Sequence, residues 1–176
     1  MAFGDFRVRR LKGEEALALV EALASVLIDC VEGGASVSFM APLGRDKASA
    51  FWRRVAEDVE NGERALVVAE EASGDVIGTA QAIFSLPENQ PHRADIAKML
   101  VKRAARGRGV GAALLEAVEA AALEAGRTLL VLDTASDAAE RLYQRGGWVR
   151  VGAVPDYALL PQGGLCATTF FYKRLG

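Results

Sequence analysis

The chain has 176 residues, 51% of them hydrophobic and 25% charged, with a formal net charge of -2. This length suits one domain, residues 1–176, with a real core, and the balance of charge excludes the broad basic footprint of a nucleic-acid binder. Cys30 and Cys166 have no metal-ligand spacing, and no apolar run approaches the roughly 18 residues that span a bilayer, so a cytoplasmic protein with reduced thiols, no metal and no membrane contact is expected.

Phe6–Leu11 is predicted as the first strand. From Glu14 onward Leu17, Val20, Ala24, Leu27 and Val31 recur at helical spacing, and Gly33-Gly34 ends that helix. "ASVSFMAPLG" is an irregular connector. A second helix is expected from Arg45 to Glu60, with Phe51, Val55 and Val59 facing inward. Two strands follow, "ALVVAEE" and "VIGTAQAIFSL", joined by the turn at Ser73 to Asp75. After the loop "PENQPHR", "ADIAKMLV" reads as a strand that enters a glycine-rich stretch and a helix from Gly109 to Ala125. "TLLVLDT" is expected as a strand buried on both faces, then a helix over Asp137 to Arg145. "WVRVGAV" and "CATTFFYKRL" are the last strands, with the loop "PDYALLPQGG" between them. The order β-α-α-β-β-β-α-β-α-β-β predicts a mixed sheet flanked by helices.

The stretch "RAARGRGVGAALL" sets three arginines and three glycines against a helix start, which suits a phosphate-bearing ligand. The G-x-x-x-x-G-K-S/T of a P-loop is not present. Gly107, Gly109 and Ala112 fit a dinucleotide fingerprint, with Asp133 as a ribose-binding acid. However, "KRAAR" separates the first glycine from its strand, and the residues that follow are too few for two mononucleotide halves. The remaining reading takes Arg106-x-x-Gly109-x-Gly111 as (Q/R)-x-x-G-x-(G/A). "RGRGVGAALL" closely resembles the acyl-CoA loop of the GNAT superfamily of N-acetyltransferases, and the resemblance extends over most of the chain.

That resemblance implies a mostly antiparallel, twisted mixed sheet and a set of roles. Arg106, Gly107, Arg108, Gly109, Val110, Gly111 and Ala112 would hold the pyrophosphate of acetyl-CoA. Met99, Leu100 and Val101 lie on the strand that lines the pantetheine cleft, and a backbone N–H near Val101 would meet the oxyanion. "SDAAERLYQRGGW" is similar to the family's N-x-x-A-x-x-x-Y-x-x-x-G-F segment, with Ser136 where asparagine is usual and Ala139, Tyr143 and Gly147 matching. "LLVLDTASDAAERLYQRGGWVRVGAVPDYALLPQGG" further resembles the tabtoxin resistance group, which implies Asp133 and Tyr143 as the catalytic pair.

Transfer to an amine needs a base for the ammonium and an acid for the departing thiolate. Asp133, at the end of a strand expected to be buried, is placed as base or ammonium anchor, with desolvation raising its pKa. Tyr143 is placed as the acid. Phe39, Met40 and Tyr157, on the two connectors, are expected to line an acceptor pocket. His92, the sole histidine, sits in a polar loop and is expected at the surface, and Glu70 and Glu71 end a strand that could reach the cleft. The expected function is acetyl transfer to a small-molecule amine, with an amino-acid-like antimetabolite as one acceptor. A protein or peptide acceptor and a non-catalytic acyl-CoA sensor stay open. A homodimer involving "CATTFFY" also stays open.

Overall fold

The computed structural model describes residues 2, 3 and 5–176. Alternation starts the sheet. In β2 (Phe6–Arg10) Phe6 and Val8 are buried and Arg7 is exposed, which gives the strand one core face. A two-residue strand, β1 (Ala2–Phe3), pairs with its start. The next strands, β3 (Arg64–Glu71) and β4 (Val76–Ile83), are buried along nearly their whole length, because helices cover both faces of the sheet there. Among the described residues, eight strands lie in the order β1-β2-β3-β4-β5-β6-β8-β7. Those not yet placed are β5 (Arg93–Val101), β6 (Leu129–Thr134), β7 (Val149–Leu159) and β8 (Leu165–Arg174). All neighbours are antiparallel except β5 and β6. The mixed, mostly antiparallel sheet anticipated from the sequence is therefore the architecture.

Helices α1 (Gly13–Ala18), α2 (Val20–Glu32) and α3 (Arg45–Glu60) cover one face, with Leu23, Leu27, Trp52 and Val55 inside. The opposite face is covered by α4 (Val110–Glu124) and α5 (Asp137–Arg145), with Leu114, Val118 and Tyr143 in the core. None of the helices among the described residues is long and apolar enough to cross a membrane.

Several boundaries differ from the sequence reading. The first helix is broken at Leu19 (φ -98°, ψ 9°), so α1 can pack on α3 while α2 follows the sheet. Leu17, counted as a core position, is 57% exposed as a result. β4 stops at Ile83, because the Phe84 and Ser85 N–H groups turn to the Glu63 carbonyl at 2.8 and 3.2 Å. β7 runs through Pro155 to Leu159, where a loop was expected. It is the outermost strand, and an edge tolerates proline and the register shifts beside Arg150 and Val154. β6 is not buried on both faces: Leu130 and Leu132 are, while Asp133 is exposed.

Candidate active site

The site follows from a shortfall of pairing. β5 and β6 match only over Arg93–Asp95 and Leu129–Val131, and beyond that the strands part. The gap widens into a cleft of about 740 Å³, lined by the far half of β5, the start of α4, the end of β6 and α5. The register on the other side of β5 decides which backbone groups face it. Leu100 is opposite Thr79, and the Lys102 N–H reaches the Ile77 carbonyl at 2.9 Å. Hydrogen-bonded and non-bonded positions alternate along an antiparallel pair, so Val101 turns its N–H and C=O away from β4 and into the gap. Its carbonyl is already taken: Arg106 Nε donates to it at 3.2 Å, and the buried Cys30 Sγ lies 3.5 Å from it.

The glycine stretch forms one end of the cleft. Gly107 (φ +77°) and Gly109 (φ +82°) are left-handed, a conformation that a side chain disfavours. Gly109 is the N-cap of α4 and carries no capping side chain. No backbone N–H from Gly107 to Ala112 is donated to a backbone carbonyl among the described residues, the first such bond being Ala113 N–H to Gly109 O at 3.1 Å. Unbonded donors at the positive end of a helix form a cradle suited to an anion. The three arginines of the stretch separate. Arg103 is bound to Asp29, with its N–H 2.8 Å from Oδ2 and its Nε 3.0 Å from Oδ1. Arg108, expected at the phosphates, reaches Glu71 Oε1 at 2.6 Å and is not among the cleft-lining residues. Arg106 lines the cleft with no carboxylate partner among the described residues.

The other wall is α5. Ser136 caps it, accepting the Ala139 N–H at 3.3 Å, and so holds the helix start against the cleft. Two turns on, Tyr143 is 4% exposed, with its ring 5.8 Å from those of Trp148 and Phe171. It still lines the cleft, and burial, with the Asp133 charge adding, pushes its hydroxyl well above the ordinary tyrosine range. Asp133, one residue before the end of β6, also lines the cleft. The desolvation expected for it is missing, because the parting of the strands leaves the residue exposed. Thr168 Oγ1 holds its Oδ2 at 2.6 Å.

The structure thus gathers Met99, Leu100, Val101, Arg106, Asp133, Ser136 and Tyr143 with the glycine stretch around one cleft. Phe39, Met40 and Tyr157 stand apart from it. Phe39 packs edge-on against Phe51 at 5.3 Å, Tyr157 packs against Phe170 at 5.8 Å, and Met40 is 44% exposed. Ser36, Val37, Lys98 and Leu160 line the cleft instead. His92 is exposed, Glu70 is locked between Arg7 and Arg9, and Glu71 serves Arg108. Lys98, Thr168 and Cys30 were not read as site residues. The first two carry no motif, although the placement of Asp133 beside a Thr-rich last strand was a signal for Thr168.

Residues 35–148 match the acetyltransferase (GNAT) family. Among solved structures, the chain is similar to yncA from Salmonella typhimurium, solved with its cofactor acetyl-CoA. That likeness has 20% identity and a TM-score of 0.80, over 98% of this chain and 95% of that one. A ribosomal-protein-alanine N-acetyltransferase from Brucella melitensis superposes with a TM-score of 0.79 at 23% identity, over 96% and 99% of the two chains. A phosphinothricin acetyltransferase from Sinorhizobium meliloti, in complex with acetyl-CoA, gives 0.79 at 20% identity over 98% and 89%. With the family match spanning well over half its length, the chain belongs to the GNAT family of acetyltransferases.

Proposed function

We propose that this chain, as one domain over residues 1–176, moves an acetyl group from acetyl-CoA to a primary amine of a small molecule, an amino-acid-like antimetabolite among the candidates. One observation carries the reading: the unbonded donors of residues 107–112, the Val101 N–H, Tyr143 and Asp133 share a single cleft. Acetyl-CoA supplies a thioester carbonyl open to attack. Gly107 to Ala112 and Arg106 hold its pyrophosphate, Met99 to Val101 and Ser136 flank its arm, and Arg108 shapes the loop through Glu71.

Asp133 receives the acceptor as an ammonium and removes one proton, directly or through water, which frees the nitrogen lone pair. The Val101 N–H stands where negative charge develops on the carbonyl oxygen. As the C–N bond forms and the C–S bond breaks, Tyr143 gives its proton to the departing sulfur and takes back one of the protons that the nitrogen loses. Held protonated by its burial, its hydroxyl acts as a donor at neutral pH. Of the two protons that the nitrogen loses, one ends on the thiol and one in solvent.

A tied connector beside the cleft supports a small acceptor over a peptide. The Ala41 N–H reaches the Pro161 carbonyl at 2.9 Å, and Gln162 Nε2 reaches the Glu32 carbonyl at 3.3 Å, so the α2–α3 connector is tied to the β7–β8 turn. Phe39 and Met40 lie on that connector and Tyr157 near that turn, where they brace the pocket from outside. On the outer edge, Val149, Val151 and Val154 of β7 are exposed, an apolar edge that suits pairing with a second copy. A cytoplasmic enzyme without nucleic-acid or membrane partners fits the charge and helix pattern.

The test is thiol release from acetyl-CoA over amino acids, dipeptides, polyamines, aminoglycosides and lysine peptides, with CoA binding measured in parallel. Turnover on small amines is expected, and is strongly reduced in Tyr143→Phe and Asp133→Asn. Turnover on peptides alone would select a protein acceptor. Tight CoA binding with no turnover would select a sensor.

A further inference from the structure

Lys98 is an anomaly in its strand. Between the pairs Thr79–Leu100 and Gln81–Ala97, β5 carries two residues where β4 carries one, which makes a bulge at Lys98 and Met99. Lys98 has φ +49°, a left-handed conformation in a residue with no local reason to adopt it. The bulge turns its side chain out of the ladder, towards α3 and the α2–α3 connector. There Nζ lies 3.4 Å from Ser38 Oγ and 5.6 Å from the centre of the Phe51 ring. Ser38 is itself left-handed, at φ +77°. Two strained residues, far apart in the chain, therefore meet through one hydrogen bond, and Lys98 lines the acceptor end of the cleft.

The ammonium is half-buried and, among the described residues, has no carboxylate within ion-pair distance. Arg64, whose charge acts on Lys98, is committed elsewhere, to Asp58 at 2.8 Å and to Gln81. Asp133, across the cleft, is engaged by Thr168. A half-buried charge without a counter-ion is costly, and here that charge lines the cleft. The acceptor end therefore presents a positive pole on β5 and a negative pole on β6.

We infer that Lys98, held by Ser38, is a specificity determinant that receives a carboxylate on the acceptor while Asp133 receives its ammonium. The class of acceptor is then a zwitterion bearing both groups, such as a free amino acid, and a plain amine is a poor substrate. This rests on the acetyltransferase reading above. Burial first, then the charge of Arg64, hold the ammonium below its ordinary range while the Asp133 charge pulls the other way, and a bound carboxylate would add a second opposite charge to offset the first two.

The experiment is calorimetric titration of the CoA-saturated protein with the free L-amino acids and with their amides, in wild type, Lys98→Met, Lys98→Arg and Ser38→Ala. A charge-assisted contact of this kind is expected to give the best free acid a preference over its amide of roughly tenfold to a hundredfold. Lys98→Met abolishes that preference, Lys98→Arg keeps part of it, and Ser38→Ala weakens it. In turnover, Lys98→Met raises KM for acids much more than KM for amides. Equal binding of acid and amide, a preference that survives in Lys98→Met, or no binding of any free acid would overturn the inference. The wild-type CoA titration is read separately: failure there sinks the acetyltransferase reading, and success with no acid preference sinks this one alone.

Discussion

Thr168 Oγ1 donates to Asp133 Oδ2 at 2.6 Å, joining β8 to the exposed end of β6. Without it the carboxylate would be free to rotate in the open cleft. Thr168→Val should lower kcat/KM by roughly tenfold, the value of one charge-assisted hydrogen bond, and Thr168→Ser should recover most of it. Steady-state kinetics on all three proteins, with melting temperatures alongside, checks this. A loss of stability without the serine recovery would mean a packing role only.

Tyr143→Phe keeps the ring between Trp148 and Phe171, so the protein should stay folded with CoA affinity near wild type. kcat should fall by about a hundredfold, in the range for a positioned proton donor. The sign of the pH effect follows from burial. The folded hydroxyl is held above its unfolded value of about 10, so the folded state keeps a proton that the unfolded state loses. Stability should therefore decline as pH rises above about 10. Denaturant melts of wild type against Tyr143→Phe should show a shallower alkaline decline in the variant.

Gly109 caps α4 at φ +82° with open space around the position of a would-be Cβ. The obstacle to a side chain there is conformational, and Gly109→Val should cost about 1–3 kcal/mol of strain. If the helix start shifts to relieve it, the N–H donors of residues 107–112 lose their common aim. Calorimetry should then show CoA binding weakened at least tenfold. Unchanged affinity would separate the loop from the cofactor.

Glu70, with its side chain 4% exposed, accepts Arg9 Nε at 2.9 Å and Arg7 Nε at 3.1 Å. Its carboxyl is held below the usual range, first by the bond from Arg9, with Arg7 adding. A depressed carboxylate contributes stability above its unfolded value of about 4.3, and the contribution is lost as pH falls through the folded value. Glu70→Gln should cost about 1–3 kcal/mol at pH 7, a range discounted for the partly exposed arginines. It should also flatten the acid limb of the stability profile in thermal melts from pH 7 to pH 3.

Local rules carried the sequence reading a long way. Ser136 before an amphipathic run, and glycines before Val110, specify where α5 and α4 begin through caps and backbone freedom, which depend on neighbours in the chain. The placement of Met99, Arg106, Ser136 and Tyr143 around one cleft came from the family resemblance that the motifs at those starts carry. What escaped depends on partners distant in sequence. The bulge at Lys98 exists because β4 and β5 differ by one residue between fixed registers, and nothing in "ADIAKMLV" announces it. Pro155 and Asp156 read as a loop, yet β7 continues through them because it lies at the margin of the sheet. Asp133 was assigned a buried strand end from the apolar run before it, whereas the parting of β5 from β6 opens its surroundings to water.

That parting has a consequence for how the protein lives in solution. A sheet interrupted along one seam leaves backbone groups that a continuous sheet would have joined, so the molecule on its own is an unfinished fabric. Whatever lies in the seam and bonds to both margins completes the weave. Occupancy should therefore register as resistance to heat and proteolysis across β5, β6 and α5 together, growing by RT ln(1 + [L]/Kd) with the concentration of the occupant. The supply of cosubstrate would then govern how long the molecule lasts as well as how fast it works.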